Sequence, residues 1–429
     1  MTSLKQLFGG GARQFGMVFA LIALIAVFQI ATGGKVLTAT NAQNIINGNS
    51  YVLILAIGMV LVIIAGHIDL SVGSVAAVVG IIVALAIRDW GIPWWAGILL
   101  GLAVGAVIGA WQGFWVAYVG IPGFITTLAG MMFFRGANQY IGKSNTVPVP
   151  KEIQTLGAGY LPEWGPNTGL NNWTLVLGVV AIAALVYGES RRRRSARRLG
   201  GSPVPTWVSV VRAGGLSVVV AGVTWLFGSG RVGTSFPVSG VILVALVLIY
   251  AFVSNRTITG RHVYAVGGNK VAASLSGVNI RRTNFFVMMN MSVLAALAGI
   301  VFIGRSTASG PFDGTNWELD AIAAVFIGGA AVSGGVGTVV GSLIGGLVMA
   351  VLNNGLQLMG VGSDSTQMIK GLVLLAAVAF DVYNKIQGRP SIVGLLMRSR
   401  RQTQIPGGPE GPESASPVSG SAPETLAQR

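Results

Sequence analysis

The chain has 429 residues, of which 52% are hydrophobic and 10% charged; soluble domains carry about 25% charged residues. A string of soluble domains is therefore excluded, and an all-α polytopic membrane protein remains, its 63 glycines suited to close helix contact. There is no cysteine and there are two histidines, His67 and His262, so disulfides, thiol catalysis and iron–sulfur clusters are excluded and no metal site is expected.

A bilayer crossing needs about 20 apolar residues. Hydropathy predicts spans at 17–31, 50–66, 72–88, 94–118, 122–141, 172–188, 206–227, 238–253, 284–304, 319–333, 338–360 and 368–385. About 10–12 transmembrane helices are expected, with broken or re-entrant segments near 66–72 and 333–338. The first span lacks a small-residue cleavage site and is expected to be a retained anchor. Residues 1–385 form the predicted membrane domain, and 386–429, rich in Pro, Gly and Ser, a disordered cytoplasmic tail. The loop 142–171, with four prolines, is expected to be ordered but non-helical and to lie outside.

The net charge of +15 is explained by topology. With the N-terminus inside, the N-terminal segment, the Arg-rich loop 189–205, the loop 254–283 and the C-terminal tail, counted with Arg212, Asp381 and Lys385 at the inner ends of spans, carry 20 of the 28 basic residues but 5 of the 13 acidic ones. Positive loops face the cytoplasm, so no nucleic acid is required. Trp90, Trp94 and Trp95 at one end of the fourth span, and Trp111, Trp115 and Tyr118 at the other, have the spacing of two interfacial belts.

Gly97, Gly101, Gly105, Gly109 and Gly113 form a ridge at every fourth position of that span. Removing each Cβ lets another backbone approach; the ridge is read as tight packing or as a sliding surface. Gly337, Gly341 and Gly345 repeat the pattern later. The junction at Gly66-His67-Ile68-Asp69-Leu70-Ser71 and that at Val336-Gly337-Thr338 suggest a weak two-half internal repeat, as in transporters whose sites lie at broken helices.

His67, Asp69 and Ser71 are candidates to line a pathway or gate, since intramembrane acids are functional suspects; alternatively Asp69 and Ser71 cap the helix beginning near Val72. Asn290, Asn353, Asn354 and Gln357 suit an uncharged hydroxylated solute and suit helix–helix hydrogen bonds equally well. Arg135 is expected to snorkel to the outer interface. No catalytic constellation and no P-loop appear; Gly142-Lys143-Ser144 lacks the glycine spacing. ATP, if it drives the protein, belongs to a partner.

In the loop 254–283, Asn269 is a good N-cap and Gly277 a good helix stop. The short helix between them places Val271 and Leu275 on one face. Such a helix, held on a basic loop, needs a partner surface.

This segment resembles the coupling region of bacterial ABC importer permeases for monosaccharides, the ribose/xylose/galactose type. The stretch from Gly66 to Val75 resembles that family's GGIDLSVGS motif, with His67 in place of a glycine. Gly120-Ile121-Pro122-Gly123-Phe124-Ile125 resembles its VPPFIV segment, with Gly123 departing. The stretches from Glu318 to Gly337 and from Val351 to Leu356 resemble its C-terminal signature. The insertion 142–237 and the end from Lys370 to Asn384 are most similar to xylose-type members. The resemblance implies a non-catalytic permease of the bacterial inner membrane with cytoplasmic termini, translocating D-xylose or a similar pentose. Its implied partners are a second permease copy (a homodimer), a cytoplasmic ATPase carrying ATP and Mg, a periplasmic sugar-binding protein and bilayer lipid. Arg261, Gly267, Gly268, Asn269, Ala272 and Leu275 would dock the ATPase. The alternative is a secondary transporter driven by an ion gradient through Asp69. A branched-chain amino-acid permease is disfavoured at this stage because no charged pathway is evident.

Overall fold

The computed structural model describes residues 12–166, 168–198, 205–231 and 233–386. The expected tail lies outside these residues, apart from its first position. The chain is an all-α polytopic membrane protein. In order, α1 is Ala12–Ala31, α2 Ala39–Ile64, α3 Val72–Asp89, α4 Trp94–Phe114, α5 Gly123–Ile141, α6 Lys151–Ala158 and α7 Asn172–Arg198. Then follow α8 Thr206–Gly228, α9 Val238–Arg256, α10 Ile258–Gly268, α11 Lys270–Leu275, α12 Ile280–Ser306, α13 Trp317–Ile327, α14 Val339–Leu358 and α15 Ser363–Ile386. A π-helical turn, Trp115–Val119, extends α4. Among the described residues, eight helices (α2, α3, α4 with its extension, α7, α8, α9, α12 and α14) are long and apolar enough to cross a membrane. The stretch Gly16–Ala31 of α1 is shorter, and α5 and α15 have 19 and 24 residues.

The core is built on α2, α3 and α12, whose side chains are buried on nearly all sides. Residues 52–65 of α2 are apolar all round and buried all round, as expected for a helix surrounded by other helices. The hairpin α7–α8 is peripheral: Val179, Val180, Val218 and Val219 are exposed, which suits a lipid-facing surface. The predicted loop 189–205 is helical through Arg198, so its arginines continue α7 rather than form a loop.

The glycine ridge of α4 is a packing surface. A Cβ at Gly101 would lie 2.7 Å from Val83 on α3 and 3.0 Å from Ile300 on α12. A Cβ at Gly109 would lie 2.7 Å from the Met289 Cα and 2.8 Å from its carbonyl oxygen. Backbone cannot yield to such an overlap.

Two sequence expectations need correction here. The outer loop 142–171 contains a helix, α6, beginning directly after Pro150; proline's fixed φ suits a helix start. The strands β1 (Val147–Pro148) and β2 (Ala308–Ser309) pair antiparallel, Val147 with Ser309, and tie the loop to the end of α12. The expected span 319–333 is a half-helix. It starts at Trp317, whose ring meets that of Tyr51, midway along α2, with centroids 4.3 Å apart. It ends at Ile327, and residues 328–338 are unwound. The first break lies at 65–71. Both breaks lead into a helix carrying Gly-Ser in its first turns. Ser74 Oγ donates to the Ser71 carbonyl at 2.8 Å, and Ser342 Oγ to the Val339 carbonyl at 2.9 Å.

Gly109→Leu should destabilise the protein by about 3 kcal/mol or more through overpacking against backbone. Thermal unfolding in detergent checks this, with Val107→Leu on the exposed side of α4 as an unaffected control.

Candidate functional site

Two short helices precede α12. Thr257 caps α10, its hydroxyl accepting from the Gly260 N–H at 3.2 Å. Asn269 caps α11, its Oδ1 accepting from the Ala272 N–H at 3.0 Å. Gly277, at φ +82°, closes the segment, with the Val278 N–H donating to the Ala273 carbonyl at 3.0 Å. Ala273 is buried beneath α11, whereas Val271 and Leu275 are 70% and 85% exposed. Arg261, Gly268, Asn269 and Ala272 are also exposed. The six residues expected to dock an ATPase thus share one segment, and five of them are exposed; Gly267 is the exception.

Gly267 is packed against backbone. A Cβ there would overlap the Ile64 carbonyl oxygen and come 2.8 Å from the Gly335 nitrogen. The Gly335 N–H donates to that same Ile64 carbonyl at 2.8 Å. Tyr264, one turn earlier on α10, donates its hydroxyl to the Gly337 carbonyl at 2.8 Å. The end of α10 therefore abuts both breaks, the one after α2 and the one before α14. Gly66, Gly334 and Gly335 all have positive φ (+83°, +79° and +71°), which glycine adopts without strain.

The first break is fastened from within. Asp69 and Ser71 are fully buried. Asp69 Oδ1 accepts from the Ser71 N–H at 2.8 Å and from Ser71 Oγ at 2.6 Å. Gln112 on α4 donates to Ser71 Oγ at 2.8 Å. Thr127 on α5 accepts from the Leu70 N–H at 3.1 Å. The Ser71 side chain does not cap α3; the capping alternative is met instead by Asp69, which satisfies the Ser71 N–H ahead of the helix. Asp69 therefore works as a fastening of an irregular segment.

His67 is half-buried on the same break. It meets Gly123: a Cβ at Gly123 would lie 3.0 Å from His67 Nδ1 and 3.2 Å from its Cβ. The two positions that depart from the monosaccharide-permease motifs are therefore neighbours, and the missing side chain at one makes room for the imidazole at the other.

The neutral amides do not converge. Asn290 Oδ1 accepts from the Tyr250 hydroxyl and joins α12 to α9. Asn354 and Asn41 exchange two hydrogen bonds, both 2.8 Å, joining α14 to α2. Asn353 is half-buried and Gln357 exposed. For Asn290 and Asn354 the helix-to-helix alternative describes what they touch.

Charges lie deeper than sequence reasoning placed them. Arg135 does not simply reach for the interface: its guanidinium is 3.6 Å from Glu318 Oε1, and Glu318 is buried. Lys370 Nζ lies 2.6 Å from Asp320 Oδ1, linking α15 to α13. Both acids sit in the first turn of the half-helix. The signal available was Trp317-Glu318-Leu319-Asp320 itself, which straddles the start of the predicted span 319–333. No group of three or more His, Cys, Asp or Glu side chains able to hold a metal occurs among the described residues.

A helical bundle with two unwound segments, both touched by a loop that presents an exposed short helix, defines a membrane transport subunit. The profile of the family described as "Branched-chain amino acid transport system / permease component" matches residues 41–378. The chain belongs to that family, and the resemblance drawn from its motifs is borne out. It is 39% identical over 370 residues to the xylose transport system permease protein XylH of Haemophilus influenzae, covering 86% of this chain and 96% of that protein. To the XylH of Escherichia coli K12 it is 39% identical, covering 86% and 92%. To the ribose import permease protein RbsC of the same strain it is 32% identical, covering 85% and 92%. No solved structure matches the chain significantly.

Two outcomes follow from this geometry. Asp69→Asn keeps an acceptor for the Ser71 N–H, so transport should be retained, whereas Asp69→Ala should lower stability by about 1–3 kcal/mol; uptake and thermal unfolding distinguish them. Gly123→Pro should impair folding or uptake while His67 is present, and the double variant His67→Gly/Gly123→Pro should recover it, a coupling read by a double-mutant cycle.

Proposed function

We propose that this chain is the membrane-spanning permease of an ATP-driven importer of a monosaccharide, D-xylose or a similar pentose, in a bacterial inner membrane. The observation that carries the reading is the capped α11, exposing Val271 and Leu275, on a segment whose other end abuts both breaks. An exposed apolar pair on a six-residue helix has no use without a partner surface. Identity of 39% to two xylose permeases, against 32% to a ribose permease, supports D-xylose over ribose.

In this reading a cytoplasmic ATPase, holding ATP and Mg, docks on Arg261, Gly268, Asn269, Ala272 and Leu275. Two copies of the permease pair across the membrane, and a periplasmic binding protein delivers the sugar. The positive-inside bias supports cytoplasmic termini. When ATP closes the ATPase pair, α11 and α10 move as a unit. Gly267 and Tyr264 bear on Ile64, Gly335 and Gly337, so one displacement reaches both breaks. The wall of the pathway is thereby switched between two arrangements, and the chain itself makes and breaks no covalent bond in the substrate.

The deciding measurement is uptake of labelled D-xylose into proteoliposomes. Uptake is expected only when ATPase, binding protein and internal ATP are all present. Uptake by the chain alone under a proton or sodium gradient, or import of leucine in place of sugar, would overturn the proposal. Leu275→Asp should leave the permease folded and cut ATP-driven uptake by about ten-fold or more, since a carboxylate would be buried at the docking surface. Gly267→Val should leave ATPase docking intact and abolish uptake; co-purification of the ATPase with the variant measures the first and proteoliposome uptake the second.

A further inference from the structure

A cavity of about 150 Å³ lies between the first half of α13, α14 and α15. Its polar wall is made by Asn316, Asp320, Gln367 and Lys370, and Met349 and Ala323 contribute to its apolar wall. The cavity is partly open, with Asn316, Leu319 and Gln367 exposed at its rim. Lys370 is the eighth residue of α15, about 10 Å along it at 1.5 Å per residue. Asp320 follows Trp317, which packs on the middle of α2.

An ion pair at such a depth is costly, and intramembrane charges mark substrate pathways more often than they serve as staples. Asp320 and Lys370 keep 16% and 18% of their side chains exposed, so the pair is not sealed between helices and faces the cavity. The lining is mostly apolar, with Leu319 and Leu374 beside Ala323 and Met349, and its four polar groups form one patch that can hold hydroxyls. The carboxylate accepts, the ammonium donates, and the two amides do both. Each hydroxyl of a sugar is likewise donor and acceptor, so it can bridge members of this wall without parting the ions. An amino-acid zwitterion would have to compete for the same two charges, which are already 2.6 Å apart. The lining residues include no aromatic ring on which a sugar could stack. Weak holding is what a transit site requires, because a station must also release.

We propose that this cavity is a monosaccharide transit station, with Asp320, Lys370, Gln367 and Asn316 as its hydroxyl-binding groups. The inference rests on the permease reading above and adds the place where the sugar is held.

The test uses the complete importer, this chain with its ATPase and binding protein, in proteoliposomes with labelled D-xylose. Ala323→Leu fills the cavity from its apolar wall and should reduce uptake about ten-fold or more, while ATP hydrolysis stimulated by the loaded binding protein persists. Gln367→Ala, at an exposed position on the rim, should reduce uptake roughly three- to ten-fold, the scale of one lost hydrogen bond, with unchanged thermal stability. Wild-type uptake by a folded Ala323→Leu complex would overturn the station. Should that variant fail to fold, wild-type uptake by Gln367→Ala would do so. Leucine protecting the wild-type complex from D-xylose uptake would also overturn it, since the site would then select a zwitterion. A wild-type complex that imports no sugar at all would instead overturn the permease reading, so the two failures are distinguishable.

Discussion

The rest of the structure depends on one requirement: inside a bilayer every backbone N–H and C=O needs a partner within the protein. Helices meet it automatically, but the segments 65–71 and 328–338 are unwound. Their partners are therefore specific. The Gly335 N–H reaches the Ile64 carbonyl left free at the end of α2, and the Ala331 N–H reaches the Val336 carbonyl within its own loop. The Ser71 and Leu70 N–H groups are taken by Asp69 and Thr127. Glycine is needed where these backbones touch, because any Cβ at Gly267 or Gly335 would meet main chain. A junction held by backbone bonds and direct glycine contact cannot deform gradually, so it passes on displacement instead of absorbing it.

The same economy of Cβ atoms organises the surrounding helices. The α4 ridge packs glycine against α3 and α12, and Gly345 on α14 packs against Ala324 and Gly328 of α13. Lipid tails are as apolar as leucine, so helices do not associate by excluding water; they associate by close contact and by hydrogen bonds. The amide pair Asn41–Asn354 and the Tyr250–Asn290 contact supply the latter. Polar residues in the spans thus divide into fasteners, which hydrogen-bond across helices, and the wall beside α13, where an ion pair remains partly exposed.

Hydropathy made the order of the long spans legible but not their number: it gave twelve candidate spans, whereas eight helices among the described residues are long and apolar enough to cross a membrane. It placed the start of α2 at 50, whereas the helix begins at Ala39. The stretch from 39 to 49 is rich in amides that hydropathy counts against a membrane helix. In the fold those amides have protein partners: Gln43 donates to the Phe227 carbonyl at 3.1 Å, and Asn47 accepts from Ser239 at 2.8 Å. Asp69 stood out because an acid inside an apolar chain is costly, yet its network was invisible: Gln112 lies 41 residues beyond Ser71, in a span whose glycines dominated its reading. Glu318 stands just before the predicted span 319–333, and Asp320 and Lys370 fall in the first residues of the spans 319–333 and 368–385, where an apolar run does not show what a charge touches. A helix that starts in mid-membrane carries its first turn inward, and no one-dimensional pattern records that. The capped α11 was legible in full, because capping is local chemistry.

The half-helix α13 joins these two kinds of polarity. Its first turn carries Glu318 beside Arg135 and Asp320 beside Lys370. Its far end, about 16 Å away for 11 residues, leads into the break whose Gly335 touches α10. Gly328, immediately beyond α13, packs directly against Gly341 at the start of α14. A helix this short does not bend appreciably, so a shift imposed on the break by α10 moves the whole rod. Its first turn then moves against α15, which holds Lys370. An α13 of full length would have crossed the bilayer independently of the first break. In the proposed mechanism, this short helix, with charge at one end and glycine at the other, is what would carry a movement that begins at α11 to the cavity wall.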